Sequence, residues 1–482
     1  MAASRARDEW QVIGKKSWNN IGLAVGRATL TGRRAEPIVG RMQQLADVWA
    51  KPGFQKAAAN LGWLMAERAV RLVFGVGVGF LVARYLGPVR LGSLSYCTAL
   101  ITLAGGFAAL GLDSVIKREL LQSPADAAEL LASGAVLRLL AGLASFGLLL
   151  VLVGTGVLGT GEERRLLLVL GLMLFQPVAL VPDLWLQAQL RAKYSVWAQT
   201  GALAASAALR IYLITAQAPL VAFAWAVTLE SVLAAAGITL LARRVGLDFS
   251  WLAARSARMR RLLGEAWPLM FSSLAIILYI KIDEVMLRHI AGAGAVGIYA
   301  AATRFTEIWY FIPLALASSL LPALLRARER GAADYRRRLQ HYYDLNAAVG
   351  YALSVPIALA APWIVRAAYG SAFSAAAPIV AVHVWSSIFV FIGVARGQWL
   401  VNERLQYFYL AATLAGAVLN IGLNFYFIPR WGGLGAAAAT VISQALAAWL
   451  SSFCLAATRE TGAMQTRALL LPVLGWRYFR RA

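Results

Sequence analysis

Cysteine and histidine are scarce in this chain of 482 residues, which has two cysteines and three histidines. Cys97 and Cys454 both fall inside apolar stretches, and the sequence has no Cys-x-x-Cys or Cys/His spacing of the kind that holds zinc. A disulfide-stapled fold and a zinc module are therefore excluded. We expect neither a metal nor a cofactor in this protein.

Charged residues are also few, at 14% of the sequence, whereas hydrophobic residues make up 60%. Ordinary soluble chains have about 25% charged and about 45–50% apolar residues, so this composition excludes both a soluble globular protein and a disordered one. Acidic residues are half as numerous as basic ones, 23 against 46, and the net charge is +23. In a soluble protein that excess would indicate a nucleic-acid partner. In so apolar a chain the excess of basic residues indicates membrane topology instead, and we expect no nucleic-acid partner.

Twelve apolar runs approach the ~20 residues that a transmembrane helix needs. They lie near residues 61–83, 91–112, 131–156, 166–187, 196–215, 220–242, 263–287, 297–322, 343–368, 378–400, 408–428 and 433–456. The sequence therefore predicts an all-α polytopic membrane protein with about 12 transmembrane helices. The shorter run 468–476 is expected to lie on the membrane surface, with Trp476 and Tyr478 at the interface.

Basic residues are distributed unevenly between the two sets of loops. With the N-terminus in the cytoplasm, 32 of the 46 basic residues fall in cytoplasmic segments, 6 in loops on the other side and 8 within the runs. Cytoplasmic loops of membrane proteins carry an excess of Lys and Arg. The distribution therefore predicts that the N-terminus and the C-terminus both lie in the cytoplasm.

A short motif occurs twice along the chain. After the first run the sequence reads RYLGPVRLGSLSY, with Gly87 and Gly92, and after the seventh it reads HIAGAGAVGIYAAATR, with Gly292 and Gly297. Both glycines recur at an offset of 205 residues. Repeated halves are typical of transporters that move one half against the other around a central site, although glycine-rich turns can also produce such a motif by chance.

The repeat predicts two pseudo-symmetric six-helix lobes around a central cavity. The expected domains are a basic cytoplasmic N-terminal extension (1–60), an N-terminal lobe (61–242), a basic cytoplasmic linker (243–262), a C-terminal lobe (263–456) and a basic cytoplasmic tail (457–482). Apolar residues of the extension allow amphipathic surface helices on anionic lipid, and a disordered tail is the alternative. These residues are Trp10, Trp18, Leu45 and Trp49.

Four stretches carry a family resemblance. They read WLMAERAVRLVFGVGVGFLVARYLGPVRLGSLSYCTALITLAGGFAALGLDSVIKREL (63–120), KIDEVMLRHIAGAGAVGIYAAATRFTEIWYFIPLALASSLLPAL (281–324), YGSAFSAAAPIV (369–380) and LNIGLNFYFIP (419–429). In this order and spacing the chain resembles, over about residues 61–456, the polysaccharide and O-antigen flippases of the Wzx type. That family belongs to the multidrug, oligosaccharidyl-lipid and polysaccharide exporter superfamily, with the multidrug and toxin extrusion pumps and the lipid II flippases.

The resemblance implies a carrier and no enzymatic site. Its substrate would be a glycan linked to polyprenyl (undecaprenyl) pyrophosphate, moved from the inner to the outer leaflet of a bacterial cytoplasmic membrane for O-antigen, lipopolysaccharide, capsule or exopolysaccharide synthesis. The implied partners are this lipid-linked oligosaccharide, membrane lipids and, in addition, a polysaccharide polymerase and a chain-length regulator. Two alternatives are a multidrug exporter of the same superfamily and a membrane glycosyltransferase or polymerase component. Short outer loops and the lack of a DxD motif argue against the glycosyltransferase.

Ionisable residues inside membrane spans are costly and mark candidate functional sites. Eight bases lie within the runs: Arg68, Arg71, Arg138, Arg210, Lys281, Arg304, Arg366 and Arg396. In the resembling superfamily the first, second, seventh and eighth spans line the cavity, and Arg71, Lys281 and Arg304 lie on three of them. Arginine suits a pyrophosphate because it offers several donors in one plane. Arg71, Lys281, Arg304 and Arg68 are therefore the predicted substrate-binding residues.

The other five bases and the acids receive weaker predictions. Arg138, Arg210 and Arg396 are expected to snorkel or to pack within a lobe, and Arg366 to snorkel. Glu67, Asp283 and Glu307 are candidates for ion coupling or charge pairing. Glu67 lies four residues before Arg71 and can simply neutralise it, and Glu307 can do the same for Arg304. Asp283 faces away from the stripe of Lys281, Glu284 and Arg288 and is expected to fix the helix to a neighbour.

Prolines within two of the runs mark candidate hinges. Pro268 lies in the seventh run and Pro313 in the eighth. A proline removes a backbone donor and bends a helix, so both positions are candidates for movement between the two lobes.

Overall fold

The computed structural model describes residues 52–159, 161–248 and 250–472. The described residues from 64 to 472 belong to one compact unit, and every contact discussed below lies within it. The described residues 52–63 begin the first helix. Most of the predicted N-terminal extension, with its candidate surface helices, and the end of the C-terminal tail, with Trp476 and Tyr478, lie outside the described residues.

Among the described residues up to 244, the structure has eight α-helices. They are α1 (Pro52–Ala109), α2 (Leu112–Gln122), α3 (Ala127–Gly154), α4 (Glu162–Gly171), α5 (Gln176–Ala179), α6 (Val181–Ala188), α7 (Ala192–Thr215) and α8 (Leu220–Arg244). A 3-10 turn at Leu172–Phe175 connects α4 to α5. Gly87, with φ 69°, divides α1 into two helical parts, because this left-handed backbone is open to glycine and strained for other residues.

Between residues 256 and 469 the structure describes eight further α-helices. They are α9 (Ser256–Ile290), α10 (Gly292–Glu307), α11 (Phe311–Arg330), α12 (Ala332–Tyr369), α13 (Ala376–His383), α14 (Ser386–Asn402), α15 (Gln406–Ala448) and α16 (Arg459–Leu469). Gly432 divides α15 as Gly87 divides α1. Within the described ranges the regular structure is entirely helical.

Helices cover every one of the twelve predicted runs. Among the described residues, seven helical stretches are long and apolar enough to cross a membrane. The protein is therefore an all-α polytopic membrane protein, as the sequence predicts. The number of twelve spans, their division into two lobes and the domain boundaries stay predictions.

Several predicted runs are not continuous helices, among them the fourth and the eighth. Pro177 and Pro182 each stand in the first turn of a short helix, α5 and α6, and divide the fourth run. The eighth run breaks between α10 and α11, and the candidate hinge Pro313 lies in the first turn after the break. Pro268, in contrast, lies within the continuous helix α9.

Buried side chains form one core at one end of the molecule and two separate cores at the other. The shared core, near Gly87, combines Val82 of α1 and Phe223 of α8 with Tyr369 of α12. At the end that carries the basic loops, one core joins α2, α3, α6, α8 and the start of α9, and the other joins α11, α12, α14 and α16. The two sets of helices thus share one core at the Gly87 end, whereas at the other end the start of α9 packs with the first set and α11, α12, α14 and α16 form their own core.

Candidate functional site

A cavity of about 600 Å³ lies between the two sets of helices. Its lining comes mainly from α1, α7, α8, α9, α10 and the residue after α10, and includes four cations. These are Arg71, Arg210, Lys281 and Arg304. Three of the four predicted substrate-binding residues therefore meet at one cavity.

Arg71 projects from the first part of α1 and contacts three polar side chains. Its Nε donates to Glu67 Oε1 at 2.7 Å, one helical turn earlier, and its terminal nitrogen donates to Gln199 Oε1 at 3.3 Å. A second terminal nitrogen lies 3.6 Å from Glu230 Oε1. The Arg71 side chain is 46% exposed, so it is both held in place and open to the cavity.

Arg210 on α7 is a cavity residue that the sequence reasoning assigned to packing. Its terminal nitrogen donates to Glu230 Oε2 of α8 at 2.8 Å. Glu230 therefore lies between Arg210 and Arg71 and joins three helices through one carboxylate. The signal for this ion pair in the sequence was a basic residue and an acidic residue in two adjacent predicted spans.

Lys281 and Glu284 of α9 lie side by side on the cavity wall, with Nζ 2.8 Å from Oε1. Both belong to the predicted helical stripe. Arg304 of α10 also lines the cavity, and within the described residues it makes no hydrogen bond and no ion pair shorter than 4.0 Å. A Cβ placed on Gly79 of α1 would lie 3.1 Å from a terminal nitrogen of Arg304, so this glycine leaves room for the guanidinium.

Carboxylates accompany the four cations. Glu284 and Glu307 line the cavity, and Glu67 and Glu230 are paired with its arginines. The predicted ion pair between Arg304 and Glu307 is not formed within 4.0 Å, although both face the same space. Among the described residues the cavity is thus balanced in formal charge, and Arg304 is the cation that has no carboxylate within 4.0 Å.

Arg68 does not line this cavity, in contrast to the expectation from its spacing to Arg71. Its side chain is exposed. Three residues of α-helix correspond to a rotation of about 300°. The two arginine side chains therefore point about 60° apart, on adjacent faces of α1. Only Arg71 reaches the cavity.

Asp283 is buried on the opposite side of α9, where it contacts α15 as the sequence predicts. Asn424 Nδ2 donates to Oδ1 at 2.6 Å, and the hydroxyls of Tyr299 and Thr440 donate to Oδ2 at 2.6 Å. Asn424 Nδ2 also lies 3.1 Å from Asn420 Oδ1. Within the described residues, Asn420 Nδ2 and Asn424 Oδ1 are buried without a partner. The cluster therefore retains a hydrogen-bond donor and an acceptor that are not used by the hydrogen bonds within it.

The two copies of the repeated motif meet at the Gly87 end. A Cβ on Gly92 would lie 1.7 Å from the carbonyl oxygen of Ala293, and a Cβ on Gly297 would lie 1.9 Å from that of Pro88. No side chain fits at either glycine, so the backbones of α1 and α10 are in direct contact. This contact closes the cavity at one end.

An ion pair lies beside the glycine contact. Arg288 Nε at the end of α9 is 2.8 Å from Glu163 Oε1 at the start of α4. Ser93 Oγ donates to the same carboxylate oxygen at 3.2 Å. Glu163 therefore connects α4, α1 and α9 at the closed end.

Arg138 and Arg396 pack within their own sets of helices, as the sequence predicts. Arg138 donates to the Pro177 carbonyl oxygen at 2.9 Å and pairs with Asp113. Arg396 donates to the Ala447 carbonyl oxygen at 2.7 Å. Both side chains are almost completely buried, so neither is available to a ligand in the cavity.

Two family models and a curated relative match the sequence. The sequence model of a family described as "Polysaccharide biosynthesis protein" matches residues 57–328, and a model described as MatE matches residues 268–427. A probable flippase AglR of Haloferax volcanii is 28% identical over 181 residues, which are 36% of this chain. The match spans 37% of that relative's length.

Solved structures of low sequence identity share the fold. Lipid II flippase MurJ in an inward closed conformation has a TM-score of 0.66 at 13% identity, covering 87% of this chain and 93% of that chain. An inward-facing multidrug resistance MATE family transporter of the MOP superfamily has a TM-score of 0.65 at 17% identity, covering 82% and 96%. A MOP superfamily transporter from Pyrococcus furiosus has a TM-score of 0.60 at 16% identity, covering 86% and 96%. The chain belongs to the polysaccharide biosynthesis protein family and has the fold of the MOP superfamily transporters.

Proposed function

We propose that this protein is a flippase for a lipid-linked oligosaccharide. It carries a glycan on polyprenyl (undecaprenyl) pyrophosphate from the inner to the outer leaflet of a bacterial cytoplasmic membrane, in the synthesis of a surface polysaccharide such as O-antigen, capsule or exopolysaccharide. The observation that supports it is the convergence of Arg71, Arg210, Lys281 and Arg304 on one cavity. Relatives named as flippases, AglR and MurJ, agree with it. A polymerase and a chain-length regulator are its proposed partners.

Pyrophosphate binding begins at Arg304, the cation without a carboxylate partner. Arg71, Arg210 and Lys281 each hold a carboxylate within 4.0 Å, and the oxygens of a pyrophosphate replace these carboxylates as acceptors. Charge-assisted hydrogen bonds to arginine are stronger than neutral ones. When the substrate leaves, Glu67, Glu230 and Glu284 pair with their cations again. Binding and release therefore exchange carboxylate oxygens for pyrophosphate oxygens as the acceptors.

Transport proceeds by alternating access between two arrangements of the helices. Here the Gly87 end is closed by the Gly92–Gly297 contact, and the two cores are separate at the end with the basic loops. With the basic loops in the cytoplasm, this is the state that accepts substrate from inside. Release to the outer leaflet requires the glycine contact and the Glu163–Arg288 pair to separate.

Asp283 is the proposed coupling residue, with Glu67 and Glu307 as cavity residues that exchange charge with the substrate. Its carboxylate lies on α9, the helix that also supplies Lys281 to the cavity. A proton or a monovalent cation bound at Asp283 changes the contacts between α9 and α15, and so changes how α9 presents Lys281 to the cavity. Pro313, beside the break before α11, is the better placed of the two candidate hinges.

Gene deletion with complementation tests the function. Deletion is expected to accumulate lipid-linked glycan on the inner leaflet and to remove surface polysaccharide, and the wild-type gene restores both. Arg71→Ala and Lys281→Ala are each expected to restore transport about tenfold less well, since each removes a charge-assisted hydrogen bond to the substrate. Arg68→Ala, on the same helix outside the cavity, is the matched control and restores transport fully.

Two results contradict the proposal at different levels. Full rescue by both Arg71→Ala and Lys281→Ala would overturn binding in the cavity. A deletion strain with normal inner-leaflet glycan would overturn the flippase function itself.

A multidrug exporter of the same superfamily is the second candidate. The observation that favours it is the set of four carboxylates at the cavity, because organic cations bind acidic sites. It predicts that Glu307→Gln abolishes resistance to cationic drugs while surface polysaccharide stays normal. Loss of polysaccharide without a change in drug resistance decides for the flippase.

A further inference from the structure

A groove runs along the outer face of α8. Two adjoining cavities of about 490 and 440 Å³ lie between this helix and the stretch from Leu172 to Pro182. Both are lined by Phe175, Ala179, Thr239 and Arg243, so they form one continuous depression, the lateral groove. It is separate from the central cavity, with which it shares no lining residue.

One helical stripe of α8 forms the long wall of the lateral groove. It consists of Thr228, Ser231, Val232, Ala235, Ala236, Thr239, Leu240 and Arg243. The fifteen residue steps from Thr228 to Arg243 rise by about 22 Å at 1.5 Å per residue. One leaflet of the hydrocarbon core is about 15 Å thick. The groove is therefore long enough for one acyl chain of a single leaflet.

The walls of the lateral groove suit a hydrocarbon chain. Small side chains at Ser231, Ala235 and Ala236 create the depression, and Val232 and Leu240 are each more than half exposed beside it. The Thr239 hydroxyl donates to the Ala235 carbonyl oxygen at 2.8 Å. Because this hydroxyl is satisfied within the helix, it adds little polarity to the groove.

Arg243 stands at one end of the lateral groove. Its side chain is exposed, and within the described residues it makes no hydrogen bond and no ion pair. Asp248 lies in the following loop but forms no ion pair with Arg243 within 4.0 Å. Trp251 lines the same end, and Leu252 beside it is 95% exposed. Exposed aromatic and aliphatic residues next to arginine are typical of the headgroup level of a membrane.

Helix α8 separates the lateral groove from the central cavity. Phe223 and Val227 of α8 line the central cavity, and Glu230 pairs with its arginines. At 100° per residue, the centre of this face is roughly opposite the centre of the groove stripe. A lipid held by its pyrophosphate in the cavity would have to pass its chain around α8 to enter the groove, so we assign the groove to a different molecule.

We propose that the lateral groove binds an anionic glycerophospholipid of the bilayer. One acyl chain lies along the α8 stripe, and the headgroup phosphate accepts hydrogen bonds from Arg243. Arg191, which donates to the Val245 carbonyl oxygen at 2.8 Å, adds positive charge near this end of the groove, which favours an anionic headgroup over a zwitterionic one. The site does not depend on the flippase function.

Native mass spectrometry of the detergent-purified full chain tests the site. Equal amounts of phosphatidylglycerol and phosphatidylcholine are added, and the wild type is expected to retain one phosphatidylglycerol in preference. Arg243→Ala is expected to weaken that binding about tenfold, the effect of losing one charge-assisted hydrogen bond. Arg244→Ala, the adjacent exposed arginine that does not line the groove, keeps the wild-type affinity.

A second pair of variants tests the apolar wall. Ala236→Trp fills the lateral groove and is expected to reduce phosphatidylglycerol binding, whereas Leu233→Trp, at an exposed position outside the groove, is not. Unchanged thermal unfolding in both variants excludes loss of the fold. A difference in phosphatidylglycerol binding between the two variants is therefore attributed to the groove wall alone.

Three results would overturn the proposal. The first is equal retention of phosphatidylglycerol and phosphatidylcholine. The second is an equal loss in Arg243→Ala and Arg244→Ala, which indicates unspecific surface charge. The third is displacement of phosphatidylglycerol by a polyprenyl phosphate at lower concentration, which makes the isoprenoid chain of the substrate the occupant.

Discussion

Gly79 of α1 leaves the space that Arg304 of α10 occupies at the cavity. A methyl group at Gly79 would lie 3.1 Å from a guanidinium nitrogen of Arg304, so the side chain must move by a few tenths of an ångström. We expect Gly79→Ala to lower transport about two- to tenfold, because small displacements of a binding group are costly. Initial rates of glycan flipping in proteoliposomes provide the measurement.

Gly77→Ala is the matched control for Gly79→Ala. A Cβ at Gly77 meets nothing within 4 Å. Both substitutions raise helix propensity by the same amount, about 1 kcal/mol relative to glycine. A difference in transport between them therefore reports on Arg304, and equal rates would show that its position is unimportant.

Asp283→Asn is expected to remove the ion dependence of transport while preserving the fold. The substitution keeps the size of the side chain and removes the charge to which Tyr299, Thr440 and Asn424 donate. Transport rates in proteoliposomes, measured with and without a sodium or proton gradient, provide the test.

Asp183→Asn is the control for Asp283→Asn. Asp183 is a second buried carboxylate, hydrogen-bonded to Gln187 and Ser195 away from the cavity, and its substitution leaves the ion dependence intact. The coupling proposal is wrong if Asp283→Asn transports at the wild-type rate with an unchanged response to both gradients.

Arg68 and Arg210 mark the limit of what residue spacing predicts about the site. Spacing along α1 correctly pairs Glu67 with Arg71, since a single helix has a known geometry. The same argument fails for Arg68, because its side chain points about 60° away from that of Arg71 around α1 and lies outside the cavity. Arg210 was missed because its role depends on how α7 and α8 pack around Glu230, which a single sequence does not contain.

The contact between α1 and α10 depends on Gly92 and Gly297. A Cβ at either position overlaps a backbone carbonyl oxygen, at 1.7 or 1.9 Å, so alanine forces the two helices apart. We expect Gly92→Ala and Gly297→Ala to shift the protein away from the closed state and to lower its thermal stability. Distances between spin labels on the start of α4 and the end of α9 measure the shift.

Gly294→Ala is the control for these two variants. Its Cβ would lie 3.6 Å from Val89, an ordinary van der Waals contact, so α10 gains a methyl group without a clash. Identical label distances in Gly294→Ala and Gly297→Ala would contradict a role of the glycine contact in closure.

Hydrophobic runs predict where the helices lie better than where they begin and end. Helix α12 starts at Ala332, eleven residues before the predicted run, because a polar segment continues the helix beyond the apolar part. The fourth run breaks where Pro177 and Pro182 interrupt it. Apolar composition measures burial in lipid, whereas helix ends depend on local backbone chemistry, so the two do not coincide.

The arrangement of the buried cores distinguishes the two ends of the molecule. One core joins both sets of helices near Gly87, and two separate cores lie at the end with the basic loops. The apolar runs of the sequence do not distinguish these ends, because a shared core depends on how the two sets of helices pack together. The repeated glycine motif was the sequence signal for the joined end, since its two copies contact each other there.

Membrane orientation is a prediction about the whole chain. The excess of Lys and Arg places the turn at Gly331 in the cytoplasm and the start of α4 outside. In a Cys97→Ala, Cys454→Ser background, we expect an impermeant maleimide to label Glu162→Cys in intact spheroplasts and Ala333→Cys only after permeabilisation. Both positions are exposed, so accessibility within the protein is matched. Labelling in the reverse order would invert the topology, and the state in which the cavity closes at the Gly87 end would then face outward.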